Sequence, residues 1–201
     1  LIFFYLYSDD ECDHLIGLAL PRLRRSSVID EKTGLGKDSR NRTSWGAFLR
    51  RDHDNIVSGI EDRISSITFI PKEYGESLQV VRYKTGQKFE PHQDYYKLTE
   101  NNNNGGHRIG TLLLYLTNVE NGGETVFPRA LANVINDYST NTSECTKKGI
   151  VIRPRRGDGL LFWITRPSGE IDPFSFHGGC PVVKGEKWLA TKFLHEHELK
   201  L

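Results

Sequence analysis

KWLATKFLH, residues 187–195, is a run whose side chains divide cleanly between two faces if the chain is extended. Lys187, Leu189, Thr191, Phe193 and His195 share one face, and Trp188, Ala190, Lys192 and Leu194 the other, because successive side chains of a β-strand point to opposite sides. Further short β-rich runs stand at 78–83, 109–117, 150–153 and 159–164, divided by Gly, Pro and Asn clusters. Ahead of them lie two helical patterns. Ser8 and Glu11 have capping-box spacing before Leu15, Ile16, Ala19 and Leu20, which predicts a helix over about 9–20. Ile56, Val57, Ile60, Ile64 and Ile67 recur at helical period between Asp54 and Pro71, and this second helix is expected to pack outside a sheet. The fold class is therefore α+β: a double-stranded β-helix, or jelly-roll, core flanked by N-terminal helices.

The 201 residues suit one compact domain over 1–201, and 37% hydrophobic with 26% charged residues is the balance of a globular chain. A formal charge of +1 with scattered basic residues gives no case for nucleic acid. No stretch reaches the roughly 18 apolar residues of a membrane span. The opening LIFFYLY is far shorter and is expected to be a buried strand. Because the chain starts in that run without methionine, removal of an upstream signal or anchor is compatible with it. Segments 26–46 and 101–106 are polar and aperiodic and are read as mobile loops.

The strongest chemical feature is His92-Gln93-Asp94. Residues i and i+2 of extended backbone point the same way, so an imidazole and a carboxylate can grip one cation. A two-histidine, one-carboxylate triad would leave coordination positions open, and His177 in FSFHGG is the candidate third ligand. Alone, a His-x-Asp tripeptide is equally at home in a solvated loop. Lys187 sharpens the case if its face looks into the barrel, since a buried ammonium needs an anion. Strand parity leaves that orientation open against an exposed edge. Ser-His-Asp and phosphate-loop spacings are absent, and the glycines of GGET and HGGC read as tight turns beside a site.

Taken together, GQKFEPHQD (86–94), RIGTLLLYL (108–116), NGGETVFP (121–128), RRGDGLLFW (155–163) and HGGCPVVKGEKWLATKFLH (177–195) resemble the collagen-type prolyl 4-hydroxylases, especially the short plant, algal and viral forms. The resemblance runs from about residue 8 to 197. It implies iron(II) on His92, Asp94 and His177, with Lys187 on the distal carboxylate of 2-oxoglutarate and Tyr83 and Thr125 helping to hold that cosubstrate. It further implies O2 as the other cosubstrate, ascorbate as reductant, and 4-hydroxylation of prolyl residues with release of succinate and CO2.

For the substrate, a proline-rich peptide in polyproline II conformation, the resemblance points to Glu76, Arg108, Trp163 and His195 and to loops 26–46 and 95–107. Phe89 and Phe193 depart from the tyrosine and tryptophan of many relatives, so substrate preference is expected to differ. A Cys145–Cys180 disulfide, with Cys12 as a packed thiol, a monomeric chain and residence in the endoplasmic reticulum or secretory lumen are implied likewise. Asn41 and Asn141 head glycosylation triplets, and a sugar on Asn41 would crowd the substrate loop, so that site is expected to be unused. Two other functions compete: the same chemistry on another residue, and a catalytically silent jelly-roll that binds peptides or sugars.

Overall fold

The computed structural model describes residues 1–29, 36–37, 39–95, 104–130, 144–147 and 149–200. In chain order the elements are β1 (Ile2–Phe3), α1 (Asp9–Ala19), β2 (Arg24–Arg25), β3 (Val28–Ile29), β4 (Gly36–Lys37), β5 (Trp45–Leu49), α2 (Asn55–Thr68), β6 (Leu78–Tyr83), β7 (Phe89–His92), β8 (Arg108–Tyr115), β9 (Asn121–Gly122), β10 (Thr125–Phe127), β11 (Ile150–Ile152), β12 (Gly159–Trp163), β13 (His177–Gly179), β14 (Val182–Lys184) and β15 (Lys187–His195). A seven-stranded sheet runs β1-β12-β8-β15-β6-β5-β2 and a four-stranded sheet β11-β10-β13-β7, with small ribbons β14-β9 and β3-β4. All pairings are antiparallel. This is the expected jelly-roll core.

Both helices begin where the caps foretold. Ser8 Oγ accepts from the Glu11 N–H while Glu11 accepts from the Ser8 N–H, closing the capping box of α1. Asp54 accepts from Ile56 and Val57 at the start of α2. The apolar stripe Val57, Ile60 and Ile64 packs with Leu15 and Ala19 of α1 on the outer face of the large sheet, against Leu112, Leu114, Trp188, Ala190 and Leu194. Each such aliphatic side chain, fully buried, stabilises the fold by about 1.5–3 kcal/mol. The alternate residues Leu113, Tyr115 and Leu189 turn inward and meet Val81, Tyr83, Phe127 and Leu160. Period-two alternation thus separates a structural layer beneath the helices from an inner layer that faces the small sheet.

Two expectations need correction. LIFFYLY is not a buried strand: only Ile2–Phe3 pair, as an edge of the large sheet, and Leu1, Phe4 and Tyr5 are exposed. The segment 26–46 is not wholly loop, since β3 and β4 form a ribbon and Trp45 starts β5, whose Ala47 and Leu49 are buried. Lys192, on the helix-facing side of β15, is buried in an ion pair with buried Glu61 of α2. Among the described residues, no helix is long and apolar enough to cross a membrane.

Candidate active site

His92 ends β7, and its register partner across the small sheet is His177, the first residue of β13. Their ring centroids are 4.6 Å apart. Asp94 follows two residues later and closes the group: its Oδ1 is 3.2 Å from His92 Nε2 and its Oδ2 3.6 Å from His177 Nε2. One ligand atom from each of the three lies within 4.8 Å of the others. Both imidazoles are aimed by the same device. His92 Nδ1 donates to the Glu90 carbonyl and His177 Nδ1 to the Ser175 carbonyl, each at 2.9 Å, so the Nε2 lone pairs converge. Thr111 Oγ1 donates to Asp94 Oδ2 at 2.7 Å and fixes the carboxylate.

The protonation states suit a cation. Burial alone would raise the Asp94 carboxyl, but His177, His92 and Arg108 hold it far below the ordinary carboxylate range. Burial pushes His177 down to about 4, so this imidazole is neutral at physiological pH. Two imidazoles and a carboxylate converging in this way are the donor set of a facial triad, and they fit iron(II).

Apolar rings wall the group. Phe89 stacks on His92 at 3.7 Å, and Phe162 and Phe127 lie 4.6 and 5.7 Å from His177. Gly178 allows β13 to approach β7 so closely: a Cβ there would sit 3.0 Å from the Pro91 nitrogen and 3.1 Å from the Phe89 carbonyl oxygen.

Lys187 is 2% exposed, so its face does look inward. It is register-paired with Tyr83, and its Nζ stands 5.9 and 5.7 Å from the Tyr83 and Tyr115 ring centres. Burial pushes the amine down to about 7, and the charge of Glu124 offsets only part of this. Thr125, also buried, accepts a hydrogen bond from Tyr115 Oη at 2.9 Å and is register-paired with Gly179. A Cβ on Gly179 would lie 3.9 Å from Lys187 Nζ, so Gly179, two residues beyond His177, borders both Lys187 and Thr125, its own register partner. Thr111 and Tyr115 went unnoticed in the sequence, although the alternation of RIGTLLLYL puts them on the same inward face as Leu113.

Of the remaining four residues, three form one cluster. Arg108 holds Glu76 through two hydrogen bonds of 2.6 and 3.0 Å, and His195 Nε2 meets Glu76 Oε1 at 2.8 Å. Burial alone would raise Glu76, yet Arg108 and His195 bring it down to about 2. The Arg108 guanidinium lies 3.5 Å from the Phe193 ring centre and also donates to the Asp94 carbonyl at 3.4 Å, which joins the cluster to the triad. Trp163 stands apart from that cluster. It is 41% exposed and lies over Gly110, where a Cβ would come 2.9 Å from the indole.

Cys145 and Cys180 are joined in a disulfide three residues beyond His177, and Cys12 is a buried free thiol. Asn41 is exposed, whereas the Asn141 triplet and residues 96–103 of the second loop lie outside the described residues.

Residues 78–195 match the model of the 2OG-Fe(II) oxygenase superfamily. The chain is 52% identical over 202 residues to prolyl 4-hydroxylase 5 of Arabidopsis thaliana, an overlap of 100% of this chain and 69% of that protein. It is 52% identical over 195 residues to the probable prolyl 4-hydroxylase 3 of the same plant, covering 96% of this chain and 68% of the relative. Among solved structures, the viral collagen prolyl hydroxylase of Paramecium bursaria Chlorella virus-1, in complex with 2-oxoglutarate, superposes with a TM-score of 0.70 at 25% identity, over 96% of this chain and 93% of that one.

Proposed function

The chain belongs to the 2OG-Fe(II) oxygenase superfamily and, within it, to the prolyl 4-hydroxylases, and from that premise we propose that it 4-hydroxylates prolyl residues of proline-rich peptides or proteins, with His92, Asp94 and His177 holding the iron. The observation that carries the reading is the convergence of both Nε2 atoms and the Asp94 carboxylate on one point, with each Nδ1 tied to its own backbone carbonyl. Held there by His92, Asp94 and His177, iron(II) would activate O2, which oxidises 2-oxoglutarate to succinate and CO2 and the C4–H of proline to C–OH, one oxygen atom entering each product.

The chain's own groups orient the reactants. Lys187, as an ammonium, pairs with the distal carboxylate of 2-oxoglutarate. Thr125 already accepts from Tyr115, so its own hydroxyl hydrogen is left to donate to that carboxylate, and Tyr83 supplies a second hydroxyl. Phe127 and Phe162 keep water from the His177 side. Trp163, exposed over Gly110, offers an aromatic wall of the kind that receives a polyproline II helix. All three iron ligands come from one chain, which supports a monomeric catalytic unit, and ascorbate is assigned as the reductant that maintains iron(II). The Cys145–Cys180 disulfide supports residence in an oxidising compartment such as the secretory lumen.

Incubation with proline-rich peptides, iron(II), 2-oxoglutarate and ascorbate tests the assignment. The expected product is one added oxygen on proline, located by mass spectrometry, with an equal amount of succinate. Oxygen found only on other residues overturns the substrate, and peptide binding without succinate identifies a silent binding module instead.

A further inference from the structure

Gln93, between the two ligands His92 and Asp94, is not among the residues assigned so far. Its side chain nevertheless makes two specific bonds to the turn that precedes the third ligand. Gln93 Nε2 donates to the Asp172 carbonyl at 3.3 Å, and Gln93 Oε1 accepts from Ser175 Oγ at 2.8 Å. Ser175 is 4% exposed, its hydroxyl also reaches the Asp172 carbonyl at 2.7 Å, and its own carbonyl accepts from His177 Nδ1. Asp172 in turn caps the turn by accepting from the Phe174 N–H at 3.1 Å. An unbroken hydrogen-bonded path therefore runs from the His92-Gln93-Asp94 segment through Ser175 to the imidazole of His177.

We propose that Gln93 is a positioning residue that, with Ser175, locks the His177 ring in register with His92 and Asp94 and so sets the affinity of the triad for its metal. The inference rests on the assignment of the triad as the iron site. Its physical basis is that the β7–β13 pairing aligns the two backbones but not the rotation of a ring that projects from a strand end. The Ser175 carbonyl supplies that orientation only while the turn that carries it is itself fixed. A carboxamide suits this bridge because it donates and accepts at once, one bond to each of two groups. Loss of groups that orient ligands typically weakens metal binding by about 10–100-fold.

The test uses cobalt(II) alone, titrated into wild type, Gln93→Leu, Ser175→Ala and the double variant and followed by calorimetry and by the cobalt absorption spectrum. Thermal unfolding of the metal-free proteins is measured alongside. Expected results are about tenfold weaker cobalt binding in each single variant, a double variant little worse than either, an altered spectrum and unchanged metal-free stability. Cobalt affinity within twofold of wild type in Gln93→Leu overturns the proposal, as does a loss in that variant matched by a fall in metal-free stability. Should Ser175→Ala not fold, Gln93→Leu decides alone, because that half-buried side chain can be replaced at nearly constant volume. His92→Ala separates the two levels: if it binds cobalt as wild type does, the triad assignment fails, whatever Gln93 does.

Discussion

His177 stands opposite His92 in one antiparallel register pair, and each ring donates through Nδ1 to the carbonyl two residues before it. The same local geometry used twice leaves two Nε2 atoms facing each other across a gap that Asp94 closes. The metal centre is therefore as much a property of a strand pairing as of three residue types.

His92→Ala, Asp94→Ala and His177→Ala each lower turnover by more than about 100-fold, beyond the usual loss from an orienting group. Far-ultraviolet circular dichroism stays as in wild type, since none of the three belongs to the two main apolar clusters. Near-normal succinate formation by Asp94→Ala removes that residue from the ligand set.

Lys187→Ala raises the KM for 2-oxoglutarate by about 30-fold or more, the loss of a buried charge pair worth about 2–5 kcal/mol. A pH signature accompanies it. Burial brings the free amine down to about 7, so below that pH the ammonium is already present, and above it a proton must be taken up on binding. Affinity for 2-oxoglutarate is thus highest below about pH 7 and falls by up to about tenfold per pH unit above it. Calorimetry of the cobalt-loaded protein in buffers of different ionisation enthalpy shows proton uptake at pH 8 and none at pH 6. A pH-independent affinity would refute this role.

Glu76 links Arg108 to His195, and its depressed pKa makes the link a source of stability. With its carboxyl at about 2 against an ordinary 4.5, the stabilisation is fully present above about pH 4.5 and is lost as pH falls towards 2. The shift corresponds to about 3 kcal/mol. Urea unfolding of wild type and Glu76→Gln shows a gap near that size at pH 7 that closes on acidification. A gap constant from pH 7 to 3 contradicts the assignment.

Glu61 and Lys192 pair where neither meets water, beneath α2. Lys192→Met leaves the Glu61 carboxylate buried without its counter-ion and costs about 3–5 kcal/mol. Replacing both, Glu61→Leu with Lys192→Met, restores most of that stability. Equal destabilisation by single and double variants, measured by thermal melts, counts against a buried pair as the cause.

The sequence alone established whatever depends on neighbours along the chain. Period-two alternation placed Lys187, Leu189 and Thr191 on one face of β15, and Ser8, Glu11 and Asp54 marked where α1 and α2 begin. His92 and Asp94 were legible as a ligand pair from their i, i+2 spacing, whereas Lys187, Tyr83 and Thr125 were singled out as cosubstrate residues through the family resemblance. The triad's assembly was decided only by tertiary pairing: His177 is far from His92 in sequence, and the β7–β13 register brings the rings together. Burial followed the same rule. LIFFYLY is as apolar as a core strand, yet it is an edge because only β12 is available to it, while Lys192 is buried because α2 brings Glu61 over it. The bonds from Gln93 to Ser175 and Asp172 lay equally beyond the sequence. Local preferences fix which way a side chain points, but what it meets depends on segments many residues away that only the folded chain brings together.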